Sequence, residues 1–292
     1  MKYQFVESHS SDFSVRRICS ILKVGRSGYY VWKRQGEGKR AKRDKELLEK
    51  IQKIFEKSKK TYGSPRIYQA LKAAGERVSR DRVARIMREA GISPPIRRKF
   101  KKTTDSEHNL AVAPNLLNRN FSVSAPNCVW VSDLTFIATK EGWLYLAVII
   151  DLFSRIIVGW AVSDSLKADI VTRAYNMAVR KRNPAKGLVF HSDRGSQYAS
   201  FVVQLIHDRI KALVSMSRKG NCWDNSPSEA FFSTLKLELV YGKTFMTKQE
   251  ALSCIFEFIE IDYNRLRLHS TLGYKSPYQF EEDFRSLLSV QN

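Results

Sequence analysis

An aspartate in the middle of an apolar run constrains this chain more than any other feature. Val129-Trp130-Val131-Ser132-Asp133-Leu134-Thr135-Phe136-Ile137 otherwise reads as a buried strand. A carboxylate there is costly unless it is paired, hydrogen-bonded or holding a cation. Asp193 ends a second such run, Leu188-Val189-Phe190-His191-Ser192-Asp193, just before the breaker Gly195. Glu229 opens a helical stretch after the loop Asn221-Cys222-Trp223-Asp224-Asn225-Ser226-Pro227. Three such acids on separate elements point to a metal site that only the fold assembles.

The run containing Asp133 starts a strand-rich region. Strands are expected at 129–138, 143–151 and 155–163, an antiparallel meander with turns at Lys140-Glu141-Gly142 and Ser154-Arg155. A helix from Ala168 to Arg182, a strand at 187–192, a helix from Ser200 to Asp208 and a strand at 212–216 follow. A helix from Pro227 to Leu239 and a long one from Lys248 to Arg265 close the pattern. This is an α/β chain, a mixed sheet with helices on its faces. If the first and fourth strands are neighbours, Asp133 and Asp193 lie side by side.

The first third is different. Residues 1–102 hold 29 Lys and Arg against 10 Asp and Glu, whereas residues 103–292 hold 21 against 19, out of a formal charge of +21. A field so confined favours a polyanion, and nucleic acid over a membrane surface, because these helices lack a broad exposed apolar face. Phe13 to Arg34 reads as a helix-turn-helix or a plain helical hairpin, with Gly25 at the break and Ser27 capping the second helix. A basic helical connector runs from Lys39 to Lys60. A second helical pair starts at Ser64-Pro65 and ends at Gly91, its last helix capped by Ser79. In that helix Val83, Ile86, Met87 and Ala90 form the buried stripe. Arg80, Arg82, Arg85 and Arg88 line the remainder as a DNA-reading face or a solvated one. The expected divisions are 1–60, a helix-turn-helix with its connector; 61–96, a second DNA-binding segment; 97–126, a basic linker; 127–245, the sheet; and 246–292, a helical tail. In the linker, Arg98 and Lys101 belong to a basic run that either tracks phosphates or acts as a spacer.

Four cysteines, Cys19, Cys128, Cys222 and Cys254, show no C-x-x-C spacing, so free thiols are expected and zinc is not. The first residues lack an apolar signal segment, and the stretch Leu144 to Ile150 is far too short to span a bilayer, so a cytoplasmic protein is expected.

Each acid also has an ordinary reading. Ser226-Pro227-Ser228-Glu229 is a capping box with proline at the first helical position. Asp193 could begin the turn at Arg194-Gly195. Asp133 has neither excuse. Asp151, the strongest competing carboxylate, ends an apolar strand and reads as a turn residue bonded to Ser154 or Arg155. Hard carboxylates with an open side suit Mg²⁺ or Mn²⁺. Two such ions about 3.5–4 Å apart support in-line phosphoryl displacement. Lys236, seven positions after Glu229, is placed to meet the DNA backbone or is an ordinary surface lysine. Arg194, Gln197, Asn221 and Asn225 lie in loops that could orient DNA ends. His191 reads as a packed strand residue rather than a ligand. His269, with Arg265 and Arg267, contacts phosphate or caps a helix through salt bridges.

The spacing Asp133-x59-Asp193-x35-Glu229 sits in the contexts W-V-S-D-L-T, H-S-D-R-G-S-Q-Y and G-N-C-W-D-N-S-P-S-E-A-F-F-S-T-L-K. Together they resemble the retroviral-integrase-like core of insertion-sequence transposases, and most closely the second-frame protein of the IS-three family. Tyr62-Gly63-Ser64-Pro65-Arg66-Ile67 and the tail from Tyr263 to Tyr274 and Ser276-Pro277 match the same family, so the resemblance covers about residues 13–285. It implies an RNase H-like sheet preceded by helix-turn-helix DNA-binding segments. It also implies nicking at the 3′ ends of the element and joining of the freed 3′-OH to another phosphodiester. Asp133 would be shared by both metals, with Asp193 and Glu229 each helping to hold one. Double-stranded DNA, as terminal inverted repeats and target, is the implied partner, with a homo-oligomer on DNA. The chain lacks a sustained leucine heptad, so the upstream-frame protein is a further expected partner. The alternatives are a DNA-binding regulator with an inert integrase-like domain, or a nuclease that does not join strands.

Overall fold

Apolar residues at helical spacing bring the first helices together. In the computed structural model, which describes residues 2–35, 38–95 and 113–291, the chain divides into two units, 1–94 and 95–292. In the first, α1 (Lys2–Ser8), α2 (Val15–Ile21) and α3 (Arg26–Gln35) bury Val6, Ile18, Cys19 and Tyr29 against one another. The Tyr29 hydroxyl donates to Glu7. Helix α1 has no counterpart in the sequence pattern, because seven residues are too few to show a period. Ser27 lies inside α3 rather than at its cap, since the helix already begins at Arg26.

Helices α4 (Lys39–Lys57), α5 (Ser64–Ala73) and α6 (Arg80–Glu89) form a three-helix cluster. They bury Leu47, Ile51, Ile67, Leu71, Val83, Ile86 and Met87. Ser79 Oγ accepts from Arg82 N at 3.3 Å, the expected cap. Ala90 is exposed, not part of the stripe, because the helix has ended at Glu89.

The second unit is built on a five-stranded sheet in the order β3-β2-β1-β4-β5. Strands β1 (Val129–Thr139), β2 (Gly142–Asp151) and β3 (Ile157–Ser163) form the antiparallel meander. Strands β4 (Val189–Ser192) and β5 (Leu213–Met216) add in parallel on the β1 side. The period of two along β2 divides the core between the sheet faces. Leu144, Leu146, Val148 and Ile150 pack on one face with Phe231, Phe232, Leu235 and Ile255, while Ala147 and Ile149 pack on the other with Ile170, Ala174, Tyr175 and Val203. The first set of helical residues comes from α9 (Ser226–Leu235) and α10 (Lys248–Glu257). The second comes from α7 (Ala168–Arg182) and α8 (Phe201–Ile210).

Gly159 sets how closely α7 approaches: a Cβ there would stand 2.2 Å from the Ala174 carbonyl oxygen. The two closing helices of the sequence pattern each change geometry part-way. Helix α9 passes into a π-helical turn at Lys236–Val240, and α10 into another at Phe258–Leu266. An additional helix, α11 (Pro277–Gln291), follows. Its Phe280 and Phe284 rings pack on Phe153, and Glu281, 3% exposed, accepts from Ser154 Oγ and pairs with Arg182.

The segment expected to be linker is not a spacer from residue 113 onward. Leu117 is buried in the core, Leu116 N donates to Ser215 Oγ at 2.9 Å, and Met216 N donates to the Pro114 carbonyl at 3.3 Å. Irregular backbone bonded to a strand end carries no period, so the sequence could not reveal it. Arg98 and Lys101 lie outside the described residues. Among the described residues no helix is long and apolar enough to cross a membrane.

Candidate active site

Parallel pairing of β1 with β4 aligns Val131 with His191, and continuing that register sets Asp133 beside Asp193 at the open end of β4. Leu134 N donates to Asp133 Oδ1 at 2.8 Å. Asp133 remains reachable from solvent, but its carboxylate is largely surrounded by protein, and it is held well above the usual carboxylate range. Burial is the main cause, followed by the charge of Asp193; the Leu134 N–H opposes them, Glu229 adds to the rise and Lys236 opposes it. The three acids therefore share one electrostatic environment although they come from a strand centre, a strand end and a helix.

Asp193 serves its turn as well. Gly195 N donates to Asp193 Oδ1 at 3.0 Å, and a Cβ at Gly195 would crowd that oxygen at 3.0 Å and Gln197 Oε1 at 2.9 Å. Glu229 stands exposed in the first turn of α9, which packs across β1 and β2. The capping box is not formed. Ser226 is already helical, the flanking Asn225 makes no side-chain cap bond, and Ser228 Oγ is buried with no hydrogen-bond partner.

Behind the acids lies a network that sequence reasoning missed. The Ser132 hydroxyl donates to the Val148 carbonyl at 2.9 Å, so the buried Tyr198 hydroxyl, 3.0 Å away, donates to Ser132 Oγ. Burial, and then the charges of Asp193 and Asp133, push the Tyr198 phenol well up. Asp224, with its side chain fully buried, is the second omission. It accepts from Arg218 N, Nε and Nη2, Arg119 Nε and Asn115 Nδ2 at 2.7 to 3.0 Å. These bonds, that from Arg218 first, hold its carboxyl far below the ordinary range against the opposing effect of burial. An acid fixed partly by Asn115 and Arg119, more than 100 positions away, has little local sequence signal.

Several expected DNA contacts are engaged within the protein itself. Asn225 is 4% exposed and its Nδ2 donates to the Ser132 carbonyl at 3.0 Å, so it fastens the loop to β1 instead of reaching outward. Arg194 Nε is committed to the Ser217 carbonyl at 2.8 Å, and Gln197 Nε2 to the Leu166 carbonyl at 3.2 Å. Lys236 is half-buried with Nζ 5.2 Å from the centre of the Phe136 ring. Burial lowers its pKa, and the charge of Asp133 opposes that. On α6, Arg82 and Arg85 do not present a free reading face: both guanidiniums bond Asp44 of α4, at 2.6 and 2.7 Å, and Arg85 also bonds Glu89. Arg80 and Arg88 are exposed.

Other candidates resolve into structure. His191 is buried between Ser215 Oγ and Ser217 Oγ, and burial lowers its pKa to about 4, so it is neutral. The Asp151 carboxylate accepts from Asn127 N, Phe153 N and Trp130 Nε1, not from Ser154 or Arg155. Only its carbonyl takes the turn bond from Arg155 N. Arg267 is buried against Glu238, and Arg265 stacks on Tyr278.

Among the described residues, no group of three or more His, Cys, Asp or Glu is closed around a single ion-sized point. The donors nevertheless fit a hard divalent cation that takes one or two carboxylates plus substrate phosphate. Asp133 and Asp193 repel each other, and Asn225 Oδ1, beside Ser132, is a buried acceptor with no partner.

Known proteins agree with this architecture. Residues 123–222 and 229–284 match models described as integrase core domain, and residues 42–100 match an HTH-like domain. "Insertion element IS600 uncharacterized 31 kDa protein" of Shigella sonnei is 44% identical over 270 residues, covering 92% of this chain and 99% of that protein. "Transposase InsF for insertion sequence IS3A" of Escherichia coli (strain K12) is 39% identical over 283 residues, covering 96% and 98%. The chain belongs to the IS3, or IS-three, family of insertion-sequence transposases. It is a DDE-type transposase with an integrase core on an RNase H-like mixed sheet and an HTH-like DNA-binding region. Among solved structures, a simian T-cell lymphotropic virus intasome in complex with PP2A regulatory subunit B56 gamma aligns with a TM-score of 0.47 at 16% identity, covering 73% of this chain and 69% of that one.

Proposed function

We propose that the transposase binds the ends of its element, nicks them at the 3′ ends and joins each freed 3′-OH to a target phosphodiester. The observation that carries this reading is the convergence of three acids from separate elements: the β1–β4 register sets Asp133 beside Asp193, and α9, which bears Glu229, packs across β1. A carboxylate cluster that resists full ionisation alone suits a divalent cation as counterion. Asp133, Asp193 and Glu229 are the residues that would hold Mg²⁺, with Mn²⁺ as substitute, as two ions. Bound there, such ions would activate a nucleophile at neutral pH and stabilise the leaving oxygen.

This chain's own residues fix the geometry. Asn225 and Tyr198 hold Ser132, and with it the backbone entering Asp133, while Gly195 N orients the Asp193 carboxylate. In nicking, a water oxygen bonds to phosphorus and the P–O3′ bond breaks. In joining, the freed 3′ oxygen bonds to a target phosphorus and the target's own O3′ leaves. Each step forms one P–O bond and breaks one.

DNA docking draws on the basic first unit, with exposed Arg80 and Arg88 on α6, and on Arg98 and Lys101 beyond it. Lys236 would meet the backbone beside the acids. A cytoplasmic homo-oligomer on DNA, assisted by the upstream-frame protein, completes the proposal.

The test uses a labelled element end with Mg²⁺ or Mn²⁺. Both steps should occur, and both should stop in EDTA. Asp133→Asn, Asp193→Asn and Glu229→Gln should each abolish cleavage with end binding retained, because charge is lost at nearly constant shape. Full activity in chelator, or an active Glu229→Gln beside a dead but folded Asp151→Asn, refutes the assignment.

A further inference from the structure

Trp223 is 68% exposed, directly before two residues that are almost completely buried. It sits in a short 3-10 turn, Cys222–Asn225. Asp224, on one side, is held by Arg218, Arg119 and Asn115. Asn225 follows and is bonded to the Ser132 carbonyl. A single exposed apolar residue at a loose loop tip needs no explanation. This indole differs, because the backbone beneath it is pinned to the core through both following residues. Folding therefore maintains a large aromatic surface in water at a fixed place.

That place is defined by the site. Trp223 lies six residues before Glu229 and two before Asn225, whose partner Ser132 adjoins Asp133. Its surroundings are cationic. The side chains of Arg119 and Arg218 are 46% and 48% exposed although each bonds Asp224, and Lys219 is exposed as well. An exposed aromatic plane on a loop anchored to exposed cationic side chains matches the chemistry of single-stranded nucleic acid, in which a base offers its face and the backbone its charge. A stacked duplex hides those faces, so a base must first leave the stack, at a cost of a few kcal/mol.

We propose that Trp223 is a base-stacking residue whose indole takes the face of a nucleobase unstacked from duplex DNA close to the bond being cut or joined. The inference rests on the proposed end processing and deepens it. The occupant is a DNA base, from the element end or from the target duplex.

The experiment uses the full chain. 5-Iodouracil is placed singly along an element-end duplex and, in a parallel arm, along a target duplex. After irradiation without metal, adducts are mapped by mass spectrometry. An adduct on Trp223 from one arm supports the proposal and identifies the source of the base. No adduct on Trp223 from either arm overturns it, whatever the rates. Cleavage provides the second readout. Trp223→Ala should slow processing of a fully paired end by about 5- to 150-fold, which is ~1–3 kcal/mol of stacking. Trp223→Phe should keep most of the rate, and unpairing the bases at the cleavage site should shrink the Trp223→Ala defect. An equal defect on paired and unpaired ends signals a structural role and also overturns the proposal. Wild-type protein that crosslinks through Trp223 yet neither cuts nor joins would count against the catalytic reading alone.

Discussion

Replacing Asp224 by asparagine tests whether the loop before Glu229 depends on one buried carboxylate. Asp224 accepts five hydrogen bonds from Arg218, Arg119 and Asn115, and its side chain is fully buried. At about 0.5–1.5 kcal/mol net per bond the whole set amounts to about 2.5–7.5 kcal/mol. Two corrections lower that figure. Asparagine keeps one accepting oxygen, and the two arginines, each about half exposed, recover much of their hydration when released. We therefore expect Asp224→Asn to cost about 2–3 kcal/mol at pH 7, a shift of about 30- to 150-fold in the unfolding equilibrium. Urea titration of the full chain followed by tryptophan emission is a suitable assay, because Trp130, Trp143, Trp160 and Trp223 all lie in the second unit and only Trp32 lies in the first.

The sign with pH is also fixed. The carboxyl is depressed in the folded state, so its contribution is present above the unfolded value of about 4 and fades as pH falls below it. The variant should lack that acid-side loss, and its end cleavage should fall with its stability because the loop bearing Trp223 and Asn225 loosens. A variant within about 0.5 kcal/mol of wild type at pH 7, a typical surface-substitution effect, with an unchanged acid profile would refute the reasoning.

Arg82→Ala or Arg85→Ala should modestly destabilise the first unit through loss of the Asp44 bonds. Neither should selectively relax end-sequence preference; denaturation and gel shift on one preparation separate the two effects. Arg80→Ala and Arg88→Ala should leave stability alone and weaken end binding, with a shallower salt dependence in gel shifts. Gly159→Ala should cost about 1–3 kcal/mol in urea titration, because its Cβ would meet the backbone of α7 and force the helix off β3. Asp151→Asn should lower the melting temperature yet leave metal-dependent cleavage measurable in the folded fraction, since the carboxylate serves the backbone of Asn127 and Phe153.

The sequence by itself determined the strands, most of the helices and the charge division, and it singled out three acids as candidates. These are local facts: a period of two, a period of 3.6, a capping serine, a carboxylate with no local excuse. Helix α1 and the docking of 113–126 escaped it, because a seven-residue helix and irregular backbone carry too little periodicity to stand out. Tertiary structure alone decided which polar groups were already occupied. Arg82 and Arg85 look like a reading face until Asp44 arrives from another helix. Asn225 looks like a loop contact until Ser132 takes its amide, and Asp224 is unremarkable until Arg119, Asn115 and Arg218 converge on it. Apart from the Arg218 bonds, these hydrogen bonds join residues some 40 to 110 positions apart and leave no trace in local spacing, whereas the requirement that buried polar groups find partners acts only once the chain has folded.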